Sequence, residues 1–385
     1  MFIYIGAYVY GDSEVVTMKR IAIVGAGPGG LMLARLLQLR GIEPVVFERD
    51  AHADERPRGG SLDLHDDTGQ HAIRRAGLER EFAAAARPED QGDRLYDADG
   101  HLLFDHDGSG HNRPEIDRTV LRKILIDALA PETIRWNSRV AGIEPDDAGH
   151  RIEGEGWHET FDLVIGADGA WSRVRLLLSD ARPAYEGVAF AELGFDTTRH
   201  PAVDALTGRG KMFAVGSNRA LITQRNGLGH IRGYAGVRAP EEIATAWRHT
   251  SAEALRAALC EAFGHWAPSL RQVVETGEII GARPLYALPV GHRWQSRRGL
   301  TLLGDAAHLM SPFAGQGVNL ALADAVDLAE AIGDGAGWSA IAKYESRMAE
   351  RARGAAEASA NGLRTVFGPA GALPVLENYR RRITR

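Results

Sequence analysis

The clearest pattern along the chain is a switch from continuous apolar residues to helical spacing. Residues 21–24 form a short apolar run, a glycine-rich stretch comes next, and from Leu31 to Leu39 apolar residues recur at the spacing of one helix face. This predicts a buried strand, a turn and a helix in that order, with "EPVVFERD" (43–50) as a second strand. Two downstream segments repeat the theme. "FDLVIGADGAWSRVR" (161–175) reads as a strand running into a turn, and "GLTLLGDAAHLMSPFAGQGVNLALADAVDLAEAI" (299–332) as a strand, a Pro-Gly loop and a long helix from about Val318. Helical periodicity breaks over 333–337 ("GDGAG") and resumes through "SAIAKYESRMAERARGAAEASANGLRTVF". Residues 183–275 differ: "GVAFAELGFDT", "KMFAVGSNRALITQRN" and "GHIRGYAGVRA" are short alternating stretches bounded by turn residues, which predicts an antiparallel sheet. Every second residue of such a sheet can line a cavity.

The glycines make the first segment chemical. Gly25, Gly27 and Gly30 fit G-x-G-x-x-G, with Pro28 opening the helix. Gly25 permits the tight turn, Gly27 lets amides approach a pyrophosphate, and Gly30 lets helix and strand pack closely. Glu48 lies about 20 residues on, where an acid hydrogen-bonds the adenosine ribose and repels a 2′-phosphate. Asp305 stands where a strand stops, a position from which a carboxylate can accept hydrogen bonds from a sugar-alcohol chain. The loop Pro312-Phe313-Ala314-Gly315-Gln316-Gly317 leads into a helix N-terminus, whose amides and dipole stabilise negative charge on a bound ring.

Composition narrows the partners. The net charge of −6 and the absence of long runs of like charge argue against nucleic acid or a membrane surface, leaving small molecules. A single cysteine, Cys260, excludes internal disulfides and cysteine-based metal clusters and suits the cytoplasm; in "AALCEAF" it reads as a buried, inert thiol. No metal site is expected. The first residues are apolar but too short to span a bilayer, and Met18, directly before "KRIAIVG", is a candidate natural start.

One glycine fingerprint, a D-G motif at Asp168-Gly169 and a G-D motif at Gly304-Asp305, in that order, resemble the class A FAD-dependent aromatic hydroxylases of the para-hydroxybenzoate hydroxylase fold. Within that group "GGSLDLHDDTGQHAIRRAGL" (59–78), "RPEIDRTVLRKIL" (113–125) and "GDAAHLMSPFAGQGVN" (304–319) are most similar to tetracycline-inactivating monooxygenases of the TetX type. The resemblance covers residues 19–365. It implies an α/β fold: a discontinuous Rossmann-like FAD-binding domain (18–75, 108–175 and 276–317), an antiparallel-sheet substrate domain (76–107 and 176–275), and a C-terminal helical segment (318–385) with a long bridging helix.

By this resemblance Asp305 holds the ribityl chain, Asp63 and Arg118 contact FAD, Arg49 sits by the adenosine, and Arg56 helps to receive the nicotinamide cofactor. Gly25, Gly27, Pro28, Gly30, Glu48, Asp168, Pro312, Gly315, Gly317, Val318 and Asn319 complete the cofactor set. On the residues alone, Arg118 could instead pair with Asp117 or Glu115. Glu192, Lys211, Phe213, His230 and Phe313 are the candidate substrate contacts. Glutamate and lysine stand at 192 and 211 where the tetracycline enzymes offer glutamine and arginine, and the third position falls among His230, Ile231 and Arg232. His308 is assigned no role.

The implied chemistry is hydroxylation of an electron-rich phenolic or polyketide substrate, tetracyclines included, by a flavin hydroperoxide, with O2 and transiently bound NADPH or NADH as co-substrates. No protein nucleophile is needed, and no catalytic residue is assigned. A redox cysteine pair, a second glycine fingerprint after a strand and a W-x-W-x-I-P signature are all missing, which disfavours disulfide reductases, Baeyer-Villiger enzymes and halogenases. A flavin oxidoreductase without oxygen insertion and a non-catalytic flavin-binding protein are the alternatives.

Overall fold

The computed structural model describes residues 20–55, 59–334 and 337–383. Arg56 and Met18 lie outside the described residues.

Five parallel strands form the first sheet, in the order Leu300–Leu302, Leu163–Gly166, Ile21–Val24, Val45–Phe47 and Ile134–Arg135. The central strands read as unbroken apolar runs because they are buried on both faces: the helix Pro28–Gln38 packs against them, and so does a three-stranded antiparallel sheet (Gly142–Asp146, Gly149–Gly154 and Trp157–Phe161) whose Trp157 stacks on Phe47. The glycine turn is made by contact. A Cβ on Gly25, which has a φ of +109°, would lie 2.5 Å from the Ala167 carbonyl oxygen, and one on Gly30 would collide with the Gly25 carbonyl oxygen. At Gly27 a Cβ would meet nothing within 4 Å.

The second sheet has seven strands, ordered Glu278–Ala287, Ala184–Asp196, His230–Arg238, Arg219–Arg225, Gly210–Gly216, Gly92–Asp97 and Leu102–His106. Two features depart from the expected pattern. Gly92–Asp97 runs parallel to Gly210–Gly216, because more than a hundred residues connect them and no hairpin dictates direction. Glu278–Ala287, expected on the cofactor side of a boundary at 276, pairs along Ala184–Asp196 and so belongs to this sheet. Side chains otherwise alternate between the two faces, apart from bulges near Tyr185, Glu192 and Leu95. Ala191, Leu193 and Phe195 pack under helices carrying Leu255, Leu259, Phe263 and Leu270, while Phe190, Ile222 and Leu285 face the other way against Phe367 and Val366. Cys260 is half-buried at the edge of the helical side.

The helix Gly317–Gly333 ends at the glycine break, and the 29-residue helix Trp338–Val366 comes after it. Ile341, Tyr344 and Met348 at one end of the long helix enter the nucleotide-side core, and Leu363 and Val366 at the other enter the sheet core. It therefore bridges both cores.

Substitution at two neighbouring glycines separates packing from access. Gly30→Ala is expected to destabilise the protein by about 2–3 kcal/mol in urea denaturation, whereas Gly27→Ala stays within about 0.5 kcal/mol.

Candidate active site

The helix Pro28–Gln38 begins at Gly27 without a side-chain cap, so its first amides are open to an anion. Glu48 is buried beside them. Its carboxylate accepts the Ala26 N–H at 2.8 Å and the Asp50 N–H at 3.1 Å. Arg122 braces the same loop, donating to the Ala26 carbonyl at 3.1 Å, the Ala53 carbonyl at 2.6 Å and Asp50 at 3.2 Å, with its guanidinium 5.4 Å above the Trp136 ring. Nothing in "RTVLRKIL" singles out Arg122, because its partners are 69 to 96 residues away. Asp168 abuts the turn, its Cα 3.0 Å from where a Gly25 Cβ would stand. One Asp168 oxygen accepts the Arg173 N–H at 2.7 Å; the other is buried without a partner among the described residues, and burial raises the pKa of this carboxyl. Arg49 is exposed and pairs with no described residue.

A second set gathers around the Pro312–Ala314 turn. Asp305 is exposed and bonds to no described side chain or amide, and the helix Gly317–Gly333 starts without a side-chain cap, leaving the Gly317 and Val318 amides open. A Cβ on Gly317 would lie 4.0 Å from an Asp305 oxygen, and one on Gly315, at φ +65°, 3.6 Å from an Asp63 oxygen. The loop thus lies between those two acids. Asn319, expected on the cofactor, has its side chain committed to the protein. It accepts the His65 N–H at 2.9 Å and donates to the carbonyls of Asp63 at 2.9 Å and Gly315 at 3.3 Å.

Opposite stands one face of the seven-stranded sheet, and strand register fixes what it shows. Phe213, Ile222, Tyr234 and Glu192 form one cross-strand row; Lys211, Gln224 and Arg232 form the next. Residues in one row share a face. His230 is paired with Asp196, four residues along its strand from Tyr234, about 13 Å away at the usual rise. The position across from Glu192 therefore belongs to Tyr234, which is not among the residues the sequence singles out; only strand register, invisible in the sequence, identifies it. The Tyr234 hydroxyl comes so close to the Gly60 backbone that a Cβ there would be 2.6 Å away. Burial, reinforced by the Glu192 charge, raises the Tyr234 pKa.

Glu192 is not a lone acid on this face: Arg283 meets it at 2.7 Å and Arg232 at 3.9 Å. Lys211 lies 3.8 Å from Asp93 and also feels Asp63 and Glu115; burial disfavours its charge, but the three carboxylates raise its pKa. Burial likewise pushes the Asp63 carboxyl up, yet the His65 hydrogen bond at 3.3 Å and the charges of Lys211 and Arg113 hold it well below the usual carboxylate range. Glu115, which accepts from Ser61 at 2.6 Å and Gln224 at 3.0 Å, is raised by burial and by Asp63. With Glu115 so occupied and Asp117 paired to Arg87 at 2.9 Å, Arg118 has no ion pair among the described residues. Its backbone N–H bonds the Gly60 carbonyl at 3.1 Å, beside Tyr234. Phe313 packs edge-on to Phe190 and Phe367, so part of its ring belongs to the sheet core.

Two uncapped helix N-termini, a buried Asp168 oxygen without a donor and an exposed, unpaired Asp305 are what an extended dinucleotide with a sugar-alcohol chain would satisfy. Fold and site together define an FAD-dependent monooxygenase of the class A flavin hydroxylase type. The chain belongs to the FAD binding domain family, whose model matches residues 18–359. Monooxygenase asqM of Emericella nidulans is 34% identical over 371 residues, covering 81% of this chain and 83% of its own. The crystal structure of Klebsiella pneumoniae HpxO complexed with FAD and uric acid superposes with a TM-score of 0.78 at 20% identity, covering 96% of this chain and 94% of that one. Tetracycline destructase Tet(55) gives 0.74 at 19% identity, covering 96% and 95%. At those identities the two structures speak for the fold alone. Among the described residues no helix is long and apolar enough to cross a membrane.

The buried charges give a pH signature. Asp63, held below its unfolded pKa, contributes stability that is present above about pH 4 and is lost as pH falls through its lowered folded value. Lys211→Met leaves three carboxylates without their shared cation. It is expected to cost about 3 kcal/mol at pH 8 and less as pH falls, because burial and Asp63 make Glu115 take up a proton more readily than an ordinary glutamate, as read by urea denaturation across pH.

Proposed function

We propose that the protein is an NAD(P)H-driven monooxygenase that hydroxylates an electron-rich phenolic or polyketide ring in the cytoplasm. The observation that carries this reading is the facing of two surfaces: the uncapped Pro312–Gly317 loop with Asp305 on one side, and the Phe213-Ile222-Tyr234-Glu192 row on the other. In this reading the residues that would hold FAD are the glycine turn and Asp168, with Glu48 and Arg49 for the adenosine, Asp305 for the ribityl chain and Asp63 and Arg118 for the ring, where the amides of Gly317 and Val318 would stabilise negative charge. Once reduced by the nicotinamide donor, the bound flavin supplies the activation of O2.

The protein's share is positioning and exclusion of water. Phe190, Phe213, Phe313 and Ile222 give an apolar wall that keeps a substrate ring dry, which limits unproductive release of hydrogen peroxide. Tyr234 presents a hydroxyl without a described partner at the edge of that wall, suited to orient a phenol or carbonyl oxygen. Glu192, bracketed by arginines, sets the polar end of the row and favours a ligand with donors over one that needs a neutral amide there. The name of one relative supports the class: asqM is a monooxygenase.

The test is to incubate the FAD-loaded protein with NADPH or NADH under labelled O2 and a panel of simple phenols, aromatic polyketides and tetracyclines. Substrate-stimulated nicotinamide loss with label in the product is expected for at least one phenol or polyketide. Stimulation without label would make the protein a reductase of the same fold, and a flavin that neither nucleotide reduces would make it non-catalytic. With the responding substrate, Tyr234→Phe is expected to raise KM about fivefold while leaving FAD affinity unchanged, the loss of one hydrogen bond.

A further inference from the structure

Asp324 lies in the middle of the helix Gly317–Gly333 with its side chain only 1% exposed. Aspartate is a poor residue for a helix interior, and a buried carboxylate is costly unless donors surround it. Its donors come from three places. One oxygen accepts the Gly304 N–H at 3.0 Å and faces His308 Nε2 at 2.6 Å; the other accepts from Arg351 at 2.9 Å, and Arg351 also holds Asp327 at 2.7 Å. His308 is itself buried, and its Nδ1 has no hydrogen-bond partner among the described residues, so its other ring nitrogen, through Asp324, holds the ring. This leaves His308 far from the role of a free base.

The Gly304 bond matters because it holds a turn only glycine tolerates. Gly304 has φ +59° and ψ −144°, a conformation that L side chains avoid, and a Cβ there would press to 3.1 Å on the Ala321 methyl of the helix that carries Asp324. That turn carries the chain out of the strand Leu300–Leu302 and presents Asp305, exposed and unpaired among the described residues, beside Gly317.

We propose that Asp324 is a positioning residue for Asp305: by accepting the Gly304 N–H it sets the peptide that aims the Asp305 carboxylate at the cofactor, and His308 and Arg351 hold the Asp324 carboxylate in place. This rests on the reading of Asp305 as the ribityl contact. The charged and titratable groups around Asp324 are Asp305 and His308 from the short helix Asp305–His308, Arg351 and Tyr344 from the long helix, and Asp327 from its own. Burial works against both charges of the pair, but the partners outweigh it, lowering the Asp324 pKa and raising that of His308.

A double-mutant cycle on FAD binding tests the proposal, read by quenching of flavin fluorescence as apoprotein is titrated. Asp324→Asn keeps shape and an acceptor but loses the charge, and is expected to weaken FAD binding roughly tenfold, with His308→Asn weakening it by about threefold. In an Asp305→Asn background both effects are expected to vanish, because the carboxylate being aimed is gone. Should the Asp324→Asn loss persist undiminished on that background, or be absent in the single variant, the positioning role is overturned while the ribityl contact stands. Should Asp305→Asn alone leave FAD binding unchanged, the ribityl reading fails and the proposal with it. His308→Asn carries the same cycle if Asp324→Asn does not fold.

Discussion

At Gly29 a Cβ would come within 2.7 Å of Leu303 and 3.2 Å of Ala321. The helices Pro28–Gln38 and Gly317–Gly333 therefore meet nearly backbone to backbone, over the carboxyl ends of the parallel strands. This close approach sets the site. It brings two helix N-termini, separated by almost three hundred residues of sequence, to one edge of the sheet. In the proposed reading one receives a diphosphate and the other a ring; a bulkier residue at the crossing would separate them. The strands Ile21–Val24, Leu163–Gly166 and Leu300–Leu302 deliver the glycine turn, Asp168 and Asp305 to that same edge because they are parallel neighbours. An open α/β sheet takes its ligands there for the same reason.

The charges near the ring loop are arranged in advance. Asp63, Asp93 and Glu115 share Lys211, Arg232 and Arg283 share Glu192, and Asn319 ties the Asp63 and Gly315 backbones together. Each polar side chain is restrained by another, so binding a ligand needs little reorganisation of the wall. Arg118 and Tyr234 are different: among the described residues neither side chain has a polar partner. Groups left without partners in an otherwise paired surface are those most available to a ligand.

The nucleotide half was largely legible in the sequence because it is local. A strand, three glycines and a helix start lie within ten residues, and the two later acids each end an apolar run. The sheet half was legible in kind but not in register. Alternation identified the strands that carry Glu192, Lys211 and Phe213, but it could not show that they share a face, that Tyr234 stands across from Glu192 or that arginines from two other strands neutralise it. Nor could it show the parallel pairing of Gly92–Asp97, since a pair joined through a long excursion leaves no hairpin signal. Arg122 and Asp324 escaped notice because each sits in an ordinary amphipathic helix and is distinguished only by partners far along the chain.

The helix Trp338–Val366 is anchored at its start among Ile341, Tyr344 and Met348 in one core and at its end by Leu363 and Val366 in the other. A single stiff rod spiked into both bodies resists any clamshell opening between them, since gaping would bend it or pull one end from its socket. Any passage for reactants is then left to loops at the rim, within a frame that stays shut.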